Sequence, residues 1–371
     1  MYTETEKRES ILQNRLRNSN LPNTFPTPEI STITLESKPS AKLAYTYYPP
    51  KTSTPTQPNP FSSALLVFLN GLMLSRSSWD KVLDIFLETR ISRRLPYPAL
   101  LSYDRYGQGE SDRDPDDKEE PPCHGHDCMD AVHALNQLLL QFWKTHPEIS
   151  SPERFPSIIF VCNSIGCALA RLYAQNYPGT VSGLLFLDSI IANSDFVSFW
   201  PNPDAPDFDP RLLPSETTVE ELRETRRKYR ETFHPSVPNM EGLSRRNLAQ
   251  LLPNSDRPKL EGKAGEGPYL TVVAHEWEKF AEENWTGSLH IPPVLTMAYV
   301  NPFWRAYNEG LTHITDPDKA IGVVNAVGCS HFIQRDRPEF VADEIIALLD
   351  RITTRTDQVR ESGKESEFYN F

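Results

Sequence analysis

The stretch Ser157-Ile-Ile-Phe-Val-Cys-Asn-Ser-Ile-Gly166 decides the fold. Ser157 to Val161 reads as a strand, and it runs almost directly into Ile165 to Asn176, which has helical spacing and stops at Tyr177-Pro178. A serine therefore sits on the bend where the strand becomes a helix. Such a bend is tight and strained, asks for small neighbours, and lifts the hydroxyl above the sheet edge. Ser164 occupies it, with Gly166 two residues on. The same bend sets the Ile165 N–H at a helix start, where unpaired donors and the helix dipole stabilise an oxyanion. Taken alone, Cys162 to Gly166 fits equally well an ordinary strand–helix junction with a capping serine.

Outward from this bend, short apolar segments alternate with longer helical ones. Upstream, Ile30 to Leu35, Ala41 to Tyr48, Ala64 to Leu69 and Ala99 to Tyr103 read as strands, and Ser78 to Thr89 and Cys128 to Trp143 as helices. Downstream, Val181 to Leu187, Tyr269 to Ala274 and Ala320 to Val327 read as strands, and Pro338 to Ile352 as a closing amphipathic helix. This alternation predicts a mostly parallel sheet covered on both faces. The pattern breaks after the sixth strand. Pro201, Pro203, Pro206, Pro210 and Pro214 exclude a sheet there, one charged helix spans Thr218 to Thr232, and the segment stands where a lid over an active site would be inserted. The expected organisation is a polar arm at 1–28, a core at 29–189, the insertion at 190–266, the rest of the core at 267–354, and a polar tail at 355–371.

Bulk properties narrow the function. A formal net charge of -12 without a long basic run speaks against nucleic acid and anionic membrane surfaces. The longest apolar runs, Ala64 to Leu69 and Gly183 to Leu187, are strand-length and far short of a membrane span. The first twenty residues are charged and polar where a secretory signal needs an apolar stretch. The five cysteines, at 123, 128, 162, 167 and 329, show no disulfide spacing, so a reducing, cytoplasmic setting is expected. The cluster Cys123-His-Gly-His-Asp-Cys128 holds zinc-ligand types, but four ligands packed into one helix start work against tetrahedral geometry. No metal or other cofactor is expected, and Asp127 or a neighbour is read as the cap of the helix that begins there.

The bend resembles the G-x-S-x-G nucleophile elbow of α/β-hydrolases, with Cys162 in place of the first glycine. Three further segments match that family in order and spacing. Leu69-Asn-Gly-Leu-Met73 looks like its oxyanion loop, with Asn70 where histidine is common, which implies the Leu72 N–H as a second oxyanion donor. Asp104-Arg-Tyr-Gly-Gln-Gly-Glu-Ser111 resembles its D-x-x-G-x-G-x-S turn, which is architectural. Gly328-Cys-Ser-His-Phe332, between the last strand and a helix, looks like its catalytic-histidine loop and implies His331 as general base. The family places the supporting acid after either of two strands. Asp188 fits the first position and is favoured, and Glu276 and Glu278 lie near the second. The resemblance covers residues 30 to 352 apart from the insertion and implies an α/β-hydrolase sheet flanked by helices.

The expected activity is hydrolysis of an ester, lactone or thioester of a small molecule through an acyl-enzyme. A serine nucleophile disfavours the dehalogenase and epoxide-hydrolase variants of the fold, which use aspartate. Phe196, Phe199, Trp200 and Phe208, near the start of the insertion, predict a bulky apolar substrate unless they only pack the insertion down. The composition resembles that of a fungal cytosolic enzyme, and that resemblance implies secondary metabolism. Two rival readings remain: a lyase or cyclase on the same fold without an acyl-enzyme, and a non-catalytic ligand-binding relative.

Overall fold

A computed structural model describes residues 25–54, 58–150, 154–262 and 265–361 of the chain. Eight strands form one sheet in the order β1-β2-β4-β3-β5-β6-β7-β8. They are β1 (Glu29–Leu35), β2 (Lys38–Tyr48), β3 (Ala64–Leu69), β4 (Ala99–Tyr103), β5 (Ser157–Ser164), β6 (Val181–Ser189), β7 (Tyr269–His275) and β8 (Ala320–Ala326). The opening β1–β2 hairpin joins antiparallel to β4, and the remaining six strands run parallel. Period-two alternation splits the central strands between two cores. Leu65, Val67, Ile158, Phe160, Leu184 and Phe186 enter one, and Leu66, Phe68, Ile159, Val161, Leu185 and Leu187 enter the other.

Helices cover both faces because their apolar stripes match these cores. On one face lie α1 (Asp80–Ser92) and, at the end of the chain's described part, the closing helix Pro338–Glu361, through Val82, Phe86, Ile345 and Leu349. On the other lie α2 (Cys128–Thr145) and α3 (Ile165–Asn176), through Val132, Leu135, Leu139, Leu169 and Tyr173. Burial of each large side chain of this kind contributes roughly 1.5–3 kcal/mol of transfer free energy. Gly183 on β6 lets the closing helix lie close, since a Cβ there would stand 2.9 Å from Ile352 Cδ1.

The expected parallel sheet and flanking helices are present, with differences in extent. The closing helix runs past Ile352 to Glu361, into the segment read as a polar tail. Residues 362–371, and the arm apart from residues 25–28, lie outside the described residues. Between β6 and β7 the chain forms no strand among its described residues and one long helix, α4 (Val219–Phe233), whose Thr218 and Glu221 make a reciprocal capping box. Two helices between β7 and β8, α5 (Trp277–Thr286) and α6 (Asn301–Leu311), had no counterpart in the sequence reading. Asp127 caps α2, accepting from the Met129 and Asp130 amides.

The rest of the Cys123–Cys128 segment docks the insertion. The Cys123 amide donates to the Asn239 carbonyl, His124 Nε2 meets the Ser236 carbonyl, and the Gly125 amide donates to the Gly242 carbonyl. The Ser244 amide donates to the His126 carbonyl. Residues that looked like metal ligands thus form a backbone strip against which residues 236–244 lie. Lower down, Asp117 accepts from the His126 amide and faces its ring, while Lys38 pairs with Asp114, so these carboxylates are already engaged.

The strand–helix bend at 164 depends on Gly166, where a Cβ would lie 2.5 Å from the Leu69 carbonyl oxygen. Backbone of β3 cannot retreat as a side-chain tip would. Gly166→Ala should therefore lower the unfolding free energy by about 1–3 kcal/mol, the usual overpacking cost. Gly322→Ala, at a position with nothing within 4 Å, should change it by less than about 0.5 kcal/mol. Urea midpoints of the two variants against the unaltered chain check this.

Candidate active site

The C-terminal ends of β3, β5, β6 and β7 and the loop after β8 converge at one end of the sheet, where ligands bind in open α/β folds. At the end of β5, Ser164 has φ 55° and ψ -122°, left-handed backbone that a non-glycine residue adopts only under constraint. Its side chain makes no capping hydrogen bond to α3, so the capping reading of this serine does not hold. Ile165 is the first residue of the helix, and its N–H lies among the orphan donors of the first turn.

Asp188 reaches its position through an irregularity of the sheet. Asn163 pairs with Leu187, but Ser164 pairs with Ser189, leaving Asp188 as an extra residue with φ 46°. Such a bulge re-aims a side chain beside a site. The carboxylate is wholly buried, and its Oδ2 lies 2.6 Å from His331 Nδ1. Its Oδ1 lies 2.8 Å from His275 Nδ1 and also faces the His275 amide at 3.3 Å. Burial by itself would raise this carboxyl; the charge and hydrogen bond of His275, with those of His331, outweigh burial and bring it down to about 2.

The alternative acids lie elsewhere. Glu276 accepts from the Gly328 amide at 2.9 Å and its own amide donates to the Cys329 carbonyl, so it pins the loop that carries His331 without touching the imidazole. Glu278 is exposed on α5. A residue the sequence did not single out, Asn163, ties the remaining pieces together. Its Nδ2 donates to the carbonyls of Leu187 and His331, and its Oδ1 accepts from Gln334 Nε2.

The loop after β3 is held from below. Arg105 donates to the carbonyls of Asn70 and Gly71, and Gln108 Nε2 donates to the Gly71 carbonyl at 2.9 Å. Both side chains also bond Glu241, a fully buried carboxylate of the insertion that accepts from the Met73 amide at 2.8 Å. In a trans peptide the N–H points opposite to the preceding C=O. With the Gly71 carbonyl turned toward Arg105 and Gln108, the Leu72 N–H faces away from them. Ser164 lies beside the same loop, its Cβ 3.5 Å from where a Gly71 Cβ would be.

Ser164 and His331 line one cavity of about 620 Å³ together with Leu72, Phe196, Tyr229 and Trp304. No hydrogen bond joins the Ser164 hydroxyl to the His331 ring in this conformation, as is common before a substrate tightens a site. Of the four aromatics expected at the substrate, Phe196 lines the cavity. Phe199 and Trp200 pack on Tyr229 instead, and Phe208 packs against the core. Phe233 of α4 and Phe280 of α5 take their place in the wall. Among the described residues, no helix is long and apolar enough to cross a membrane.

The chain is similar, at low identity, to several solved structures. Solved structures that resemble it include a haloalkane dehalogenase loop variant from Bradyrhizobium elkanii, 15% identical over 90% of this chain and 99% of that one, with a TM-score of 0.49. An epoxide hydrolase from Vigna radiata is 12% identical over 87% of this chain and 98% of that one, at 0.48. A thermophilic esterase from Thermogutta terrifontis is 16% identical over 87% and 99%, at 0.46. None of the curated proteins matches the chain significantly. The model of the alpha/beta hydrolase family matches residues 66–344, three-quarters of the sequence, and the chain therefore belongs to the alpha/beta hydrolase family.

Proposed function

We propose that the chain is a serine hydrolase that cleaves an ester, lactone or thioester of a bulky, mainly apolar small molecule. The observation that carries this reading is the 2.6 Å contact between His331 Nδ1 and Asp188 Oδ2, with Ser164 on a strained bend in the wall of the same cavity. Asp188 accepts a hydrogen bond from the His331 Nδ1–H and fixes the tautomer, leaving Nε2 as the base. Nε2 removes the Ser164 proton as the hydroxyl attacks the acyl carbonyl. The Ile165 and Leu72 amides receive the oxyanion, and as it collapses His331 gives its proton to the departing alcohol or thiol; His331 then takes a proton from the water that cleaves the acyl-enzyme and returns it to Ser164 as the acid leaves. Phe196, Tyr229, Phe233, Phe280 and Trp304 supply an apolar wall, which favours a bulky acyl or alcohol group over a charged one. Five buried, unpaired thiols fit a reducing cytoplasmic setting.

A fluorophosphonate probe should label the wild-type chain and not Ser164→Ala. Ester turnover surviving in the alanine variant would favour a lyase or cyclase that needs no acyl-enzyme. Absence of both labelling and turnover on an ester and thioester panel would favour a binding role. Asp188→Asn should reduce kcat roughly ten-thousandfold with little change in KM, because the imidazole loses its tautomer and its counter-charge. Glu276→Gln, which leaves the imidazole's partner in place, should cost far less, and equal losses in the two variants would reject Asp188 as the acid. Gln108→Met removes one anchor of the Gly71 carbonyl and should lower kcat roughly ten- to hundredfold at nearly constant KM. Steady-state kinetics on an activated ester such as a p-nitrophenyl acyl ester measures all three.

A further inference from the structure

His275 closes β7 with its imidazole almost wholly buried, and both of its ring nitrogens face acceptors. Nδ1 lies 2.8 Å from Asp188 Oδ1, and Nε2 lies 3.1 Å from Asn301 Oδ1. The Asn301 amide is not free to turn over, because its Nδ2 donates to the Trp277 carbonyl at 3.1 Å and lies 3.3 Å from Met297 Sδ. Its oxygen is therefore the atom presented to His275. A neutral imidazole carries one N–H and would press a lone pair against one of these oxygens, whereas an imidazolium satisfies both.

We infer that His275 is a buried imidazolium at neutral pH and a positioning residue for the hydrolytic reaction, holding the Asp188 carboxylate in place for His331. The inference rests on the proposed roles of Ser164, His331 and Asp188. Burial pushes the His275 imidazole toward its neutral form, and the Asp188 charge and hydrogen bonds push it the other way by more, so its pKa is raised from the ordinary histidine value. Its effect on the site is one of charge: Asp188 meets two imidazole rings, and a carboxylate already paired with one cation interacts less strongly with a second, so loss of the His275 charge alters the Asp188–His331 interaction as the pH falls.

The surroundings offer little to compete with this pair. Against His275 pack the Phe280 ring, stacked at 4.3 Å, and the Trp304 ring at 5.2 Å, neither of which titrates. Against His331 stand Trp304, Phe332 and Asp188. The ionisable groups nearby are spoken for: Glu276 on the Gly328 amide, Glu283 with Arg335, and Asp336 on the Ser330 amide and Arg335. Arg335 itself sits over the Phe332 ring. The Cys167 thiol, which also feels the Asp188 charge, is held well above its usual range by burial, and the Cys329 thiol is raised to about 11, so both are neutral.

The test is the pH dependence of fluorophosphonate labelling, a rate that needs no known substrate, in wild type and in His275→Gln. The acidic limb of the rate is expected to move to higher pH by about one unit in the variant, with the alkaline plateau much less affected, the size expected for removal of one nearby charge. A lower plateau with an unmoved limb would mean that His275 only supports the fold, and would overturn the inference. Side-chain nitrogen NMR of the wild-type chain labelled with ¹⁵N-histidine gives an answer even if His275→Gln fails to fold. Two protonated ring nitrogens on His275 at pH 7 are expected, and a single neutral tautomer would refute the imidazolium. If the wild type resists labelling altogether, the reading of Ser164 fails and takes the effect on His331 with it, while the nitrogen spectrum still decides the charge of His275.

Discussion

The active end of this molecule is organised around one buried anion. Asp188 has no access to solvent, and an isolated carboxylate at such a depth would cost far more than any one contact returns. Three donors surround it: the His331 ring, the His275 ring and the His275 amide. Each comes from a different point of the fold than the aspartate, so β6, β7 and the loop after β8 must all be in register before the charge is satisfied. The bulge at 187–189 is what lets a strand residue face sideways into this meeting point.

A second buried charge plays a matching part for the loop after β3. Glu241 belongs to the insertion, yet it bonds Arg105 and Gln108 of the turn after β4 and the Met73 amide of the loop. Removing one member of a buried ion pair typically costs about 3–5 kcal/mol, because the other is left uncompensated. The segment between β6 and β7 is therefore fastened around residue 241 to the loops at this end of the sheet, and the strip at 123–128 fastens it again alongside. In the proposed chemistry, the shape of the cavity and the orientation of the Leu72 amide depend on the same contact.

Much of this was legible in the sequence because it is local. Strand periodicity, the join of β5 to α3, and the order of the loops placed the sheet, Ser164 and His331 without knowledge of contacts. What escaped was long-range. Position along the chain favoured Asp188 over Glu276 and Glu278, but the bulge that turns Asp188 onto the His331 ring, and the contact of Glu276 with the histidine's loop, are encoded by no pattern. His275, Asn163 and Glu241 carried no signal, since each gains its role only from partners 24 to 171 residues away. The helices α5 and α6 lacked side-chain caps, and α5 buries only Phe280 and Ala281, too few apolar positions to mark a helix. At the Cys123–Cys128 cluster the cap by Asp127 was legible, while the backbone docking of residues 236–244 was not, because it leaves no trace in residue type.

Ser164 and Asp188 are both non-glycine residues at positive φ, and they stand at the ends of adjacent strands. Conformations of this kind cost on the order of 1–3 kcal/mol each and persist only where the surroundings over-determine them. Here the constraint is visible. Asn163 bridges β6 and the His331 loop between the two strained residues, the Ile190 amide donates to the Ser164 carbonyl, and the packing of Gly166 against β3 leaves the bend no room to relax. Strain on β5 turns a hydroxyl up from the sheet, and strain on β6 turns a carboxylate across it. The core of buried leucine, valine and phenylalanine beneath them is what holds both distortions, so the stability of the sheet and the geometry proposed for catalysis rest on the same packing.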